Sequence, residues 1–411
     1  MKQRLGMATV LGALAVIAAL AAVTTHFQRS AQSHSPPPPT ARDETPSRTP
    51  ALPAARERSP APVESEAEEE QPPDPPSVDY DWRRTLRDTK APPKLPREVV
   101  EAFLEKRQRS AESLLAAYRA LDDTNLLAEA ASRFPNDPRV QRSVLSRDLF
   151  PEDRRKRLEL FKASAPDNAL ANYLSAQEHM SNRYQEGTGQ WLFGPDKLPL
   201  QDYLQTASAQ AAINELAEAT SKPLFENYVL EARLDEEELN LFAGRSVLQA
   251  RLGASGWSSD LMPELANFKS IAICLQQLEK TYLGAGDTAS AQNLAQIGLT
   301  LANRLRSGES GKLIIDQLVS TASEAIHLNA WDANTSYEFL GGKTPAERQA
   351  EMKRERATLR ALTEGVREQL PALSEADVLS YLDRQRAYGE ADAMRWLLQR
   401  TQATVTPVPL P

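Results

Sequence analysis

The sequence predicts an all-α fold: an array of helix hairpins carried behind an N-terminal membrane helix and a disordered, proline-rich linker. Three observations carry this expectation. Beyond residue 96 the apolar residues recur at spacings of 3, 4 and 7, the stripe of amphipathic helices that bury one side. No run of alternating branched or aromatic residues bounded by turn residues is found, so any sheet must be small. Proline and glycine are also sharply partitioned: 16 of the 29 prolines lie between Pro36 and Pro96, and no glycine occurs from Ala13 to Glu186. These boundaries place a helical body at 96–403, closed by a Pro-rich tail at 404–411.

Residues 1–5 carry Lys2 and Arg4, and an uncharged stretch follows from Gly6 to Val23. Thr24 and Thr25 extend it to the roughly 20 residues that a bilayer requires. The expected anchor therefore covers 6–25, and the two cations before it favour a cytoplasmic N-terminus with the body outside the cytoplasm. Ala19-Leu20-Ala21 keeps a second reading open, a cleaved signal peptide that would leave the body secreted or periplasmic. No cysteine follows the apolar run, which excludes a lipoprotein anchor. From 26 to 95 the chain is Pro, Ala, Ser, Thr, Glu and Arg, with Pro36–Pro39 and the acidic run Glu64–Glu70. Such a composition buries too little apolar surface to offset chain entropy, and predicts an extended spacer of about 50 to 200 Å.

Within the body, Val100, Phe103, Leu104, Ala111, Leu114, Leu115, Tyr118 and Leu121 read as one amphipathic stripe. Leu126, Leu127, Ala130, Ala131 and Phe134 follow, and stop at Pro135-Asn136-Asp137-Pro138. The pattern continues through 158–162, broken by Ala165-Pro166-Asp167-Asn168, and then through 169–183, 201–220, 223–252 and 263–283. Thr344-Pro345-Ala346-Glu347 is a capping box with proline in the first helical position, opening a helix toward Leu370 and Pro371. Ser374, with Asp377 three residues on, opens the last helix pair in the same way.

Chains of helix pairs must stack to hide their stripes, so an internal repeat is expected. In 272–305, Leu275, Leu278 and Tyr282 mark a first helix, Gly286-Asp287 a turn, and Ala291, Ala295 and Gly298 a second helix with small residues where it crosses the first. This unit resembles a tetratricopeptide repeat. It departs from that pattern at Glu279, where the family has Gly or Ala, and at Asn303, where it often has Pro. The resemblance implies an α-solenoid whose first helices line a peptide-binding groove. On that implication Gln276 and Lys280, opposite the inward stripe, are candidate contacts for a protein or peptide partner.

Chemistry-bearing motifs are absent from the sequence. Gly284-Ala285-Gly286-Asp287-Thr288-Ala289 has dinucleotide-fingerprint spacing but follows a helix rather than a strand, and reads as a hairpin turn. Gly342-Lys343-Thr344 lacks the first glycine of a phosphate loop, and Ser255 and Ser310 miss nucleophile-elbow spacing by one residue. Glu178-His179 has no second histidine a turn away, which leaves His179 on a helix surface and His327 as a hydrogen-bonded core residue. The single cysteine, Cys274, lies in an apolar helix and reads as buried; it cannot form an intramolecular disulfide or a multi-cysteine zinc site. Asp235–Glu238 and the cluster Lys353, Arg354, Arg356 and Arg360 read as solvated helix faces. A net charge of -8 argues against a nucleic-acid surface of the basic kind.

No catalytic, metal or cofactor residue is therefore expected. Trp191 and Trp257, on stretches rich in Gly, Ser and Pro, are the other candidate partner contacts. The expected function is that of a membrane-anchored, exported helical scaffold or adaptor that binds a protein or peptide partner in the cell envelope. An exported helical enzyme without a recognisable motif, and a structural envelope component, stay open as alternatives.

Overall fold

From residue 97 onward the described residues fold into sixteen α-helices and one small sheet. The computed structural model describes residues 80–84, 92–185, 190–254, 258–308 and 310–404. The expected anchor 6–25, residues 26–79 of the linker, Trp257 and residues 405–411 lie outside the described residues. No described helix is long and apolar enough to cross a membrane.

The first stripe is not one helix. α1 (Arg97–Lys106) and α2 (Ala111–Leu121) are separated by a reversal in which Gln108 and Arg109 adopt φ of 53° and 50°. A long-range contact breaks the helix: Arg109 sets its guanidinium fork on Glu129 at 2.7 and 2.6 Å, and also reaches Glu101 at 3.0 Å. Ser110 then caps α2 by accepting from the Ser113 amide. α3 (Thr124–Arg133) and α4 (Pro138–Arg147) are joined at the expected proline corner, where Asp137 accepts from the amides of Arg139 and Val140.

The next corner also falls as expected. α5 (Arg154–Ser164) and α6 (Leu170–Met180) are divided by Asn168, whose amide group binds the backbone of Glu226 in both directions and so ties the corner to a segment 58 residues on. The stretch that carries Trp191 forms an antiparallel meander, β1 (Asn182–Gln185), β2 (Gln190–Phe193) and β3 (Leu198–Pro199), in the order β1-β2-β3. It is held to the helices by Phe193, which stacks on Tyr203 with ring centroids 6.0 Å apart. Gly194 (φ +73°) admits this packing, since a Cβ there would lie 2.8 Å from the Tyr203 ring.

After the short α7 (Leu200–Tyr203) come α8 (Ala207–Ser221), α9 (Val229–Phe242) and α10 (Val247–Gly253). The stripe 223–252 is cut at Gly244 (φ 78°), and Ser246 with Gln249 forms a reciprocal capping box that starts α10. α11 (Ser258–Gly284) and α12 (Thr288–Arg306) make the hairpin expected at Gly286-Asp287: Gly286 has φ +80° and Asp287 caps the Ser290 amide. α13 (Ile314–Leu328) packs on both members of that hairpin. α14 (Pro345–Gln369) begins at the Thr344–Glu347 capping box, and α15 (Glu375–Tyr388) at Ser374; α16 (Glu390–Thr404) returns on α15.

The largest core joins α5, α6, the sheet and α8 to α11, α12 and α13, and contains Leu275 and Leu278. A second lies among α1–α4 and the end of α9. A third draws in part of the linker: Trp82 is buried against Leu248 and Leu252 of α10 and Val378 of α15, and Leu95 is buried in the second core. The body therefore begins before residue 96, because these apolar side chains find a surface to cover.

Candidate functional site

The α11–α12–α13 triangle decides the fate of the expected groove. Gln276 does not face solvent: only 3% of it is exposed, and its Nε2 donates to the Ile326 carbonyl oxygen at 2.7 Å. Ile326 is in the last turn of α13, where carbonyls lack intrahelical partners, so Gln276 caps that helix. The face opposite Leu275 and Leu278 is the one on which α13 docks. Lys280, one turn on, is exposed.

Glu279, the departure from the repeat pattern, is the polar centre of the triangle. Its carboxylate is fully buried, with one oxygen 2.6 Å from His327 Nδ1 and the other accepting from Trp331 Nε1 at 3.1 Å. Burial of a carboxylate is tolerated only with such partners. His327 is the hydrogen-bonded core residue expected; its Nε2, however, has no hydrogen-bond partner among the described residues and lies over Gly298. Gly298 thus admits the His327 ring of the next helix, while Ala291 and Ala295 pack in one cluster with Trp331 and with Tyr282 and Leu283 of α11. Tyr282 is half-buried between the main core and this aromatic group. A carboxylate–imidazole pair of this geometry could orient a general base, but Nε2 is buried against the Gly298 backbone, and the cluster reads as structural.

The remaining expected residues distribute as follows. Trp191 lies on β2, half-buried against the main core. Cys274 is buried, its thiol pushed up to about 12 by desolvation. His179 is half-buried at the end of α6, where burial and Arg155 hold its imidazole below the usual range. Asp235–Glu238 is not a solvated face: Glu236 and Glu237 are buried, Arg251 donates to Glu237 at 3.1 Å, and burial pushes the half-buried Asp235 up to about 6. The helix was expected to show this side to water because its charges hide the fact that α2 and α10 both pack on α9. Among the described residues no group of three His, Cys, Asp or Glu is placed to hold a metal ion.

Cavities open on the described surface, two of which are lined by charged groups. One, about 460 Å³, lies by α4, α5 and α6, where Arg154 is already neutralised by Asp148 and Glu178 at 3.1 and 2.8 Å. The other, about 240 Å³, lies between α9, α10, α15 and Lys312. Its apolar wall is Leu230, Leu234 and Leu382, and its charged groups are Arg233, Arg251, Lys312 and Arg386 against Glu231 and Glu237. Glu237 binds both Arg251 and Arg386. Burial lowers the affinity of Arg233 for its proton even with Glu390 and Glu236 nearby. Leu234 is 48% exposed beside the half-buried side chains of Arg233, Arg251 and Arg386.

Beside this cavity, on the same two helices, the body holds a short piece of its own linker. The Tyr80 hydroxyl donates to the Gln249 carbonyl at 2.9 Å, and Gln249 Nε2 donates back to the Tyr80 carbonyl at 2.9 Å. The Arg245 guanidinium lies 5.3 Å from the Tyr80 ring centroid, and Arg83 donates to the Leu373 carbonyl at 3.4 Å. Sequence reasoning missed Tyr80 and Trp82, although two aromatics in a stretch otherwise poor in them were a visible signal. Comparison with models of known protein families, with curated proteins and with solved structures finds no match to this chain.

Proposed function

We propose that the protein is a membrane-anchored helical scaffold of tetratricopeptide-like construction, exported to the outer side of the membrane, whose body binds extended peptide segments of a protein partner. The observation that carries this reading is the seating of Tyr80–Arg84: an aromatic anchor, Trp82, fills an apolar site between α10 and α15, while Gln249 reads the backbone of the neighbouring Tyr80. Aromatic anchoring with main-chain hydrogen bonds is how helical and sheet scaffolds recognise peptides. The α11–α12 hairpin, with Leu275 and Leu278 inward and Gly286 in its turn, supports the repeat-like construction. The anchor 6–25 and the spacer beyond it would hold this surface away from the bilayer.

The test uses the full-length chain in detergent. Trp82→Ala vacates the site, so a labelled synthetic peptide of residues 77–86 is expected to bind that variant and to bind the unaltered chain at least about tenfold more weakly, because the intramolecular segment competes. Absence of binding to a Trp82→Ala chain of unchanged helicity overturns the reading. Protease digestion of intact cells and of opened vesicles tests the placement: the body is expected to be cut only from the outer side.

A further inference from the structure

The charges of α14 are sorted by side. Glu351 and Glu355 are taken up by cations at the start of the helix: Lys343 donates to Glu351 at 2.8 Å, and Arg348, itself bound to Glu324 of α13, donates to Glu351 and Glu355 at 3.2 and 2.9 Å. Among the described residues, the side chains of Lys353, Arg354, Arg356, Arg360 and Arg367 make no ion pair or hydrogen bond. At about 100° per residue, Lys353, Arg356, Arg360 and Arg367 fall within an arc of about 60°, while Glu355 and Glu351 lie about 130° and 170° from its middle. Glu364 borders the arc, so four cations stand there against one carboxylate, on a protein whose net charge is -8. We propose that this stripe is the contact by which the body rests on an anionic bilayer surface.

Charge, composition and tethering favour this partner. Each cation held at an anionic headgroup surface strengthens binding roughly fivefold, whereas an exposed pair with a single peptide carboxylate contributes little. Between 353 and 368 the exposed apolar residues of α14 are Ala357 and Ala361, and no aromatic or leucine is exposed there. A peptide or a single-stranded nucleic acid would need an apolar or aromatic anchor, and an inserted amphipathic helix a greasy face; a charged plane needs neither. The acidic remainder of the body does not cancel the stripe at contact, since salt confines each charge to about 8 Å. The proposal rests on the anchor reading for its strength: a spacer of about 50 Å at its coil limit keeps the body near the headgroups, so a weak electrostatic contact is occupied without a second association step. None of these residues belongs to the seat of Trp82 on α10 and α15.

The test places the full chain on vesicles of phosphatidylcholine alone, or with about one third phosphatidylglycerol, that carry an acceptor dye on their headgroups. A donor dye on the exposed site of an Ala357→Cys variant reports the distance of the stripe from the bilayer, and the buried Cys274 stays unlabelled. Energy transfer is expected to be at least about twofold higher with phosphatidylglycerol, and to return to the phosphatidylcholine level in 0.5 M salt, where the screening length is ~4 Å. The difference is also expected to vanish when Lys353, Arg356, Arg360 and Arg367 are all replaced by glutamine, with helicity unchanged, since none of the four is buried. Transfer that does not respond to phosphatidylglycerol, or a response that survives the four substitutions, overturns the proposal. So does tighter binding of the stripe to a duplex oligonucleotide than to the vesicles at equal phosphate concentration, which would assign it to nucleic acid. Flotation with pure phosphatidylcholine vesicles reports the anchor separately: a chain that floats without the phosphatidylglycerol response keeps the anchor and refutes the stripe, and a chain that does not float refutes the anchor while the response to phosphatidylglycerol still decides the stripe.

Discussion

Gly298 and His327 occupy one space: a methyl group on Gly298 would lie 2.1 Å from His327 Nε2. A glycine in the interior of α12 weakens the helix by about 1 kcal/mol relative to alanine, so it persists there because the imidazole of α13 packs directly on the backbone.

This gives a sign reversal as a test. Gly298→Ala is expected to destabilise the protein by about 1 to 3 kcal/mol, the cost of overpacking a core site. In a His327→Ala background the same substitution is expected to become neutral or stabilising by up to about 1 kcal/mol, since only the helix propensity is left. Chemical denaturation of the four variants measures it, and equal effects in both backgrounds would refute the close approach.

Glu279 and His327 are expected to be strongly coupled. Glu279→Ala strands the buried donors of His327 and Trp331, and should lower stability by about 3 to 5 kcal/mol. His327→Ala should also destabilise, but the double variant is expected to lose at least about 1 kcal/mol less than the sum of the two. Additive losses would show that the 2.6 Å contact contributes nothing of its own.

Asp235 supplies a pH dependence. Burial is the largest cause of its raised proton affinity, with Glu112 and Glu231 acting in the same direction and Arg139 and Arg119 opposing. The folded state therefore holds the proton more tightly than the unfolded chain, and this group lowers stability as pH rises from about 4 through about 6. Asp235→Asn, which stays neutral, is expected to be more stable than the parent by about 1 to 2 kcal/mol at pH 7, allowing for partial solvation, and equal to it at pH 4. Urea denaturation at the two pH values checks this; a difference that is the same at both is the contrary result.

Trp82→Ala is expected to leave the helix content unchanged and to speed amide hydrogen exchange in α10 and α15, with a stability loss of about 1 to 2 kcal/mol for a side chain seated on one face only. Exchange that stays unchanged across both helices would mean that the linker does not pack there.

Helix boundaries set by neighbours in the chain were legible. The capping box Thr344–Glu347, the cap at Ser374, the proline corner with Asp137 and the turn at Gly286-Asp287 all join groups no more than three residues apart, so composition and spacing suffice to read them. The break between α1 and α2 was not legible, because the groups that hold Arg109 in place include Glu129, 20 residues away. The candidate groove failed for a related reason. The stripe argument divides a helix into an inner and an outer face, but α11 packs against both α12 and α13, and Gln276 on its supposed outer face caps a helix 50 residues on.

By itself, then, the sequence determined that this chain is helical, that its proline-rich region and its body are separate in composition, and where several helices start, since these properties follow from local propensity and from apolar periodicity. The tertiary structure alone decided which charged and polar groups are interior: Glu279 with His327, Glu237 with Arg251, Gln276 with Ile326, and the seat of Tyr80 and Trp82 on α10 and α15. A polar side chain in one sequence has the same helical spacing whether it faces water or a partner. Only the arrival of a second helix, with a donor or acceptor at hydrogen-bonding distance, makes its burial affordable.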